Sequence, residues 1–292
     1  MSYSSIYRSE LFAGQAFLIT GGGSGIGRCT AHELAALGAS VALVGRNAEK
    51  LERVKQEIGE AGGRVTVHVG DIRDEERVAG IVGEVLDVHG RIDGLFNNAG
   101  GQYRSAVQDI STKGFTAVLQ NNLVGGFQVM REVFNRSMQA HGGAIVNMIM
   151  DVSHGMPNYA HSAAARGGMA TLTETAGCEW APYGVRVNAV CPGFIASSGL
   201  DHYSEEHARS IPDHVTKVPM QRFGTEAEVS AVVVFLLSPA AAYVTGSIYR
   251  VDGGSPNARQ TATLIPALRS NVYEGFHLAH APQLLRTATQ GQ

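Results

Sequence analysis

The sequence predicts a single α/β domain, a doubly wound parallel sheet with helices on both faces. Three observations carry that expectation. Short apolar, β-branched runs alternate with longer runs at helical spacing along most of the 292 residues. Most of the strand-like runs are apolar, as strands covered on both faces require. The first of them leads straight into Thr20-Gly-Gly-Gly-Ser-Gly-Ile-Gly27, a glycine turn that opens a helix.

Taken in order, Met1 to Gly14 reads as a lead-in arm. Ala16–Thr20 is the first strand, and Gly25 to Leu37 the first helix. Ala39–Val44 is β-branched and apolar, hence a strand. Ala48–Ala61 is charged, with Leu51, Val54 and Ile58 on one helical face. Arg64–Val69 is a third strand. Asp74–His89 is an amphipathic helix that opens with acids, which suit its N-terminal dipole. Ile92–Asn97 is strand four, Ser111–Ala140 holds a long helix, and Ala144–Met150 is strand five. Ser162–Pro182 is a helix, Val185–Val190 strand six, Glu226–Leu237 a helix and Ser247–Val251 the last strand. Between Pro192 and Arg222 the chain is irregular with short helical pieces. One domain therefore covers residues 1–254, including a substrate loop at 194–222. The polar tail 255–292 is expected to pack on a neighbouring subunit or to fray.

Composition narrows the function. A net charge of −3 without single-sign blocks gives no reason to expect nucleic acid or a membrane surface as partner. No apolar run reaches spanning length, and Met1-Ser-Tyr-Ser-Ser is not a secretory signal. Cys29, Cys178 and Cys191 lack C-x-x-C spacing, and the scattered histidines show no ligand pattern. The expectation is a cytoplasmic protein without a metal site.

The glycine turn carries the first chemistry. Strand, glycine turn and helix together aim backbone N–H groups and a helix N-terminus at a pyrophosphate. The spacing Gly21-x-x-x-Gly25-x-Gly27 differs from the commoner G-x-G-x-x-G. Ser24 can add a phosphate hydrogen bond. About twenty residues on, where a Rossmann-type dinucleotide fold reads the adenosine ribose, stands Arg46. No acid occupies Gly45, Arg46 or Asn47 to grip a 2′-hydroxyl, whereas an arginine accommodates the 2′-phosphate of NADP. The cofactor expected is NADPH.

Thr20–Gly27, Asp71-Ile72, Asn97-Asn98-Ala99-Gly100, Asn122, Arg186-Val-Asn188 and Cys191-Pro-Gly193 together resemble the short-chain dehydrogenase/reductase family, over about Gly14 to Gly254. That resemblance implies that Thr20, Gly21, Ser24, Gly25, Ile26 and Gly27 bind the cofactor. It places Asp71 and Ile72 at the adenine, Asn98, Ala99 and Gly100 behind the adenosine ribose, and Pro192, Gly193 and Ile195 at the carboxamide. It also implies a homotetramer, with Gly114–Met138 and Ser162–Tyr183 forming one dimer interface.

The catalytic positions depart from the family pattern of a Ser followed by Tyr-x-x-x-Lys. Counting back from Glu179–Asn188, the Lys position is Arg166, the Tyr position is Ser162, and the usual Ser falls at or near Met150. The segments Asn97–Gln102 and His161–Gly168 resemble the peroxisomal trans-2-enoyl-CoA reductase and 2,4-dienoyl-CoA reductase branch, as does His141–Asn147. The resemblance implies NADPH-dependent reduction of the 2,3 double bond of an enoyl-CoA thioester; a carbonyl or hydroxyacyl oxidoreductase of the same family, or a cofactor-binding protein without turnover, stays as the alternative. Enoyl reduction gathers charge on the thioester oxygen, which a serine hydroxyl can meet without ionising. Ser162 is also a natural N-cap. Arg166, one turn on, would reach the nicotinamide ribose, and Asn122 fits the family asparagine that holds a water. The donor of the Cα proton stays open between Asp151, Tyr159, His161 and water.

Overall fold

The computed structural model describes residues 2–202, 215–258 and 264–288. Its seven-stranded parallel sheet has the order β3-β2-β1-β4-β5-β6-β9. In chain order the elements are β1 (Ala16–Thr20), α1 (Gly25–Ala36), β2 (Ser40–Gly45), α2 (Ala48–Glu60), β3 (Arg64–Val69) and α3 (Glu75–His89). There follow β4 (Gly94–Asn97), the helical stretch α4 (112–141), β5 (Gly143–Met148), α5 (Ala160–Glu179) and β6 (Val185–Pro192). The two-residue strands β7 (Ile195–Ala196) and β8 (Gly224–Thr225) pair with each other, then come α6 (Glu226–Leu237), β9 (Ile248–Val251) and α7 (Gln283–Ala288).

Strand periodicity builds the two faces. Phe17, Ile19, Val41 and Leu43 enter one core with Leu34 of α1, Leu51 of α2 and Val233 of α6. Their neighbours Leu18, Ala42 and Val44 enter the other, with Val82 of α3, Val129 of α4 and Met169 of α5. Alternation sends successive side chains to opposite faces, and both faces of the central strands are covered, so β1, β2, β4 and β5 are largely apolar, while the outer strands β3 and β9 carry polar residues. Helix starts follow local capping. Asn47 accepts from Lys50 N, Asp74 from Arg77 N, Ser111 from Gly114 N, and Thr225 with Glu228 forms a capping box.

Two boundaries and the inside of one helix differ from the sequence expectation in ways that matter for the site. β5 ends at Met148, where its pairing with β6 stops, so Ile149 and Met150 lie beyond the sheet. α5 starts at Ala160, because Asn158 turns the chain with φ +68° and sets helical geometry two residues before Ser162. The long helix contains two π-helical segments, Gln120–Val124 and Phe134–Met138.

The tail also departs from expectation, for its described part packs on its own chain. Arg222 donates to Asn271 O, Thr225 Oγ1 donates to Tyr273 O, and Ser4 N donates to Gly275 O. Phe276 is buried against Tyr3 and lies under the Arg28 guanidinium, 5.2 Å away. His280 Nε2 stands 2.5 Å from Asp201 Oδ2, in the 194–222 loop. The β7–β8 pair ties the two ends of that loop together; its residues 203–214 lie outside the described residues.

Candidate active site

The strand register gathers the predicted residues at one edge of the sheet. Thr20 pairs with Val44 and Asn97, Gly45 with Val69, and Asn97 with Asn147. The glycine turn, Arg46, Asp71 and Asn98 therefore all follow the carboxyl ends of adjacent strands. Strand order reverses between β1 and β4, the place where ligands bind in open α/β sheets.

Close approach explains the glycines. A Cβ on Gly27 would lie 2.5 Å from both Asn98 Nδ2 and Gly21 O, and Gly21 itself has φ +69°. Asn98 Nδ2 donates to Thr20 O at 3.0 Å and Gly21 O at 3.3 Å, which staples the turn to the end of β4. Thr20 is fully buried, and its hydroxyl accepts from Asn98 N and Ala99 N, both at 2.9 Å. Thr20 thus shapes the cradle from inside and presents nothing to a ligand. Ser24 makes no side-chain capping bond at the start of α1, so its hydroxyl is available beside the helix N-terminus. The cradle fits a dinucleotide diphosphate: a helix N-terminus without first-turn acids, and glycines that leave its backbone open.

Around it, Arg46 is exposed at the end of β2 and pairs with no carboxylate among the described residues. Asp71 is gripped by Arg73, whose hydrogen bonds hold its carboxyl below the usual range. Ile72 is buried against Gly125 of α4. Pro192 ends β6, Gly193 N donates to Val251 O at 3.0 Å, and Ile195 is buried in β7.

Two side-chain clusters stand beside this cradle. In the first, Asn122 Oδ1 accepts from Arg166 Nη2 at 2.8 Å and Gly101 N at 3.0 Å. Its Nδ2 donates to Gly101 O at 2.7 Å and Val118 O at 3.0 Å. Asn122 sits in the π-helical segment, and its amide takes up the Val118 carbonyl where the hydrogen-bond ladder is widened. All four hydrogen-bonding valences of the side-chain amide are used by protein, so this side chain braces Arg166 and the 98–102 turn. Gly100 is obligatory here, because a Cβ would overlap Arg166 Nη2 and Asn122 Oδ1.

Arg166 Nη1 donates to the Met148 carbonyl at the end of β5. No carboxylate among the described residues pairs with this half-buried guanidinium. Desolvation brings its pKa down to about 10, so it remains a cation at neutral pH. A cation without a counter-ion at the end of the sheet suits a polar or anionic ligand.

In the second cluster, Ser162 is buried and its Oγ donates to Gln102 Oε1 at 2.5 Å, with Met150 Sδ 3.4 Å away. Ser162 is the third residue of α5 rather than its N-cap; Tyr159 holds that place and makes no side-chain capping bond. Gln102 is the residue of this cluster to which the sequence assigned no role of its own. It closes the Asn97–Gln102 segment, but only the fold-back of that turn onto α5 brings it to Ser162. Of the candidate proton donors, Asp151 Oδ1 accepts from Ser153 N at 3.1 Å and Ser153 Oγ at 2.5 Å. Tyr159 is buried at the helix start. His161 is fully buried edge-on to Tyr103, with Nδ1 accepting from Ser162 N at 2.8 Å. Among the described residues no group of His, Cys, Asp and Glu could hold a metal ion, and no helix is long and apolar enough to cross a membrane.

Comparison with known proteins sets this geometry in context. Residues 21–255 match the family described as Enoyl-(Acyl carrier protein) reductase. The chain is 33% identical over 256 residues to a peroxisomal 2,4-dienoyl-CoA reductase of Danio rerio, covering 87% of this chain and 85% of that one. It is 35% identical over 256 residues to levodione reductase of Leifsonia aquatica, covering 85% and 96%. Among solved structures, a citronellol catabolism dehydrogenase of Pseudomonas aeruginosa PAO1 is 54% identical, with a TM-score of 0.79 over 87% of this chain and 99% of that one.

Proposed function

Since the chain belongs to the short-chain dehydrogenase/reductase family, in the neighbourhood of the dienoyl-CoA reductases, we propose that it reduces the 2,3 double bond of an enoyl-CoA thioester with NADPH. The observation that carries this reading is the Ser162–Gln102 pair where the family's tyrosine would stand. Reducing a ketone must deliver a proton to the oxygen that takes the charge, the task of an acidic phenol. Reducing an enoyl thioester leaves that oxygen as a hydrogen-bonded enolate and protonates carbon separately. Neutral donors are then enough.

In this reading the glycine turn and Ser24 receive the cofactor diphosphate, and Arg46 receives the 2′-phosphate. The bound nicotinamide supplies the hydride. Arg166, fixed by Met148 O and Asn122, points its remaining donors at the nicotinamide ribose. Ser162 has one hydroxyl proton, and Gln102 Oε1 accepts it, so the Gln102 amide keeps both N–H donors for the thioester oxygen. The chain acts as a homotetramer in the cytoplasm. Leu123, Phe127 and Leu172 form an apolar groove on the outer face of α4 and α5 for the dimer contact, and the three free cysteines suit a reducing compartment.

A second reading, oxidation of a terpenoid alcohol, is favoured by the 54% identity to the citronellol catabolism dehydrogenase. One screen decides between them. Purified protein is assayed for NADPH consumption with straight and branched enoyl-CoA esters and with ketones, and for NADP⁺ or NAD⁺ reduction with citronellol. Turnover of enoyl esters alone is expected; turnover of citronellol or ketones alone would reverse the assignment.

A further inference from the structure

One buried carboxyl outside the proposed machinery faces the glycine turn. Glu226, the first residue of α6, is 3% exposed, and its Oε1 has no hydrogen-bond partner. That oxygen lies 3.9 Å from where a Cβ on Gly25 would stand, at the first residue of α1. Gly25 has φ +58° and opens α1 at the end of the glycine turn. A carboxylate left ionised there would be desolvated and would repel the diphosphate that the turn is shaped to hold.

The one cation near it, Arg28, is shared with other partners and offsets its burial only in part. From α1 it meets Arg28, whose guanidinium is shared with Glu57 Oε2 at 2.8 Å and with Leu278 O at 3.1 Å. Also from α1 comes Cys29, whose thiol is pushed up by burial and by Glu226 itself. Beyond Cys29 stand Tyr3 of the arm and Glu33, which accepts from Tyr3, Ser5 and Ser230. The tail contributes Tyr273 and, beside Arg28, His277. On its own helix, Glu228 is taken by Arg222 at 2.6 Å and 2.8 Å. Burial accordingly raises the Glu226 carboxyl to about 7, with Arg28 pulling the other way.

We propose that Glu226 is a further cofactor-binding residue: its neutral carboxylic acid faces the glycine turn, donates its proton towards the diphosphate of the ligand, and makes diphosphate binding take up a proton. This rests on the reading of the glycine turn as the diphosphate site. No bond is made or broken beyond that protonation. Solvent supplies the proton, and it returns to solvent when the ligand leaves. Since only the neutral form is competent, the apparent dissociation constant rises as the competent fraction falls, by about tenfold between pH 6 and pH 8.

The test uses ADP-ribose, which carries the diphosphate without the nicotinamide or the 2′-phosphate, so its own charge is constant over this range. Calorimetric titration of the full-length protein at pH 8, in two buffers of different ionisation enthalpy, should show uptake of about one proton per site. Affinity measured from pH 6 to 8 should fall about tenfold. Glu226→Gln, which keeps a neutral donor of the same shape, should bind with the wild-type affinity of pH 6 at every pH and take up no proton. Tight binding with no proton uptake, or an unchanged pH profile in E226Q, would overturn the role of Glu226 and leave the cofactor site standing. Failure of ADP-ribose to bind at any pH would overturn both.

Discussion

The Ser162 hydroxyl points its only proton at the side-chain oxygen of Gln102, 2.5 Å away. In the proposed reaction the two residues act as one donor: serine holds the amide oxygen, which leaves the amide N–H groups for the substrate. Gln102→Ala should lower turnover of the enoyl ester about a hundredfold, the loss typical of one oxyanion donor, and Ser162→Ala should do nearly as much by releasing the amide. The double variant should be little worse than either single one, since the residues work as a unit. Steady-state kinetics with NADPH titrations check this, and cofactor affinity should hardly move. Unchanged turnover in both single variants would remove the pair from the mechanism.

Arg166 should be intolerant of lysine. Its fork spans the Met148 carbonyl and Asn122 Oδ1 while leaving donors free, and an ammonium cannot match that geometry. Arg166→Ala should weaken NADPH binding and turnover together, and Arg166→Lys should recover less than a tenth of either loss. Fluorescence titration of bound NADPH reads the first effect and initial rates read the second.

Arg46→Asp should invert cofactor choice. An aspartate at the end of β2 repels a 2′-phosphate and accepts from a 2′-hydroxyl. The ratio of NADPH to NADH affinities should fall by at least tenfold; a ratio that stays put would show that Arg46 is not the selector.

Stability should drop in mild acid through His32. Burial lowers its pKa to about 4 from an ordinary 6.5, despite the Glu57 hydrogen bond. Between those values the unfolded chain binds the proton and the folded one does not, so stability falls as pH falls through 6.5 and the loss is complete near 4. Over that window it amounts to roughly 3 kcal/mol. Urea unfolding at pH 7 and pH 4.5 measures it, and His32→Gln should flatten the difference.

The apolar groove on α4 and α5 should be where two subunits meet. Leu172→Glu would place a charge against its copy across a two-fold contact and should convert a tetramer to smaller species by light scattering. A wild-type monomer at micromolar concentration would refute the assembly.

The sheet was legible because its signal is redundant. Most of β1 to β6 carry a buried apolar run, and glycine turn, Asn97 and Pro192 fall at strand ends whatever the exact boundaries. The start of α5 was not, because serine's preference for helix caps is a local rule, and the turn at Asn158 had already begun the helix. The π-helical segment around Asn122 leaves the apolar pattern of α4 nearly intact while rotating one turn of it, so periodicity alone reads a plain helix. Gln102 stood in plain view beside the Asn-Asn-Ala-Gly turn, yet its partner is sixty positions away. The tail escaped for a different reason. Tyr273 meets Thr225 while Phe276 and Leu278 both meet Arg28, contacts that follow no period for a pattern to reveal.

Contact between the two chain ends has a consequence for how the protein is made. Tyr273 reaches the Ser4 carbonyl across 269 positions of sequence, and Phe276 closes over Tyr3. During synthesis the arm and α1 leave the ribosome early, long before the residues that seal them exist. Tyr3 and Ser4 must wait, partly uncovered, until residues 273–276 have emerged. A ribosome stalled short of Tyr273 would hold a nascent chain whose sheet could form but whose N-terminal arm could not yet be locked.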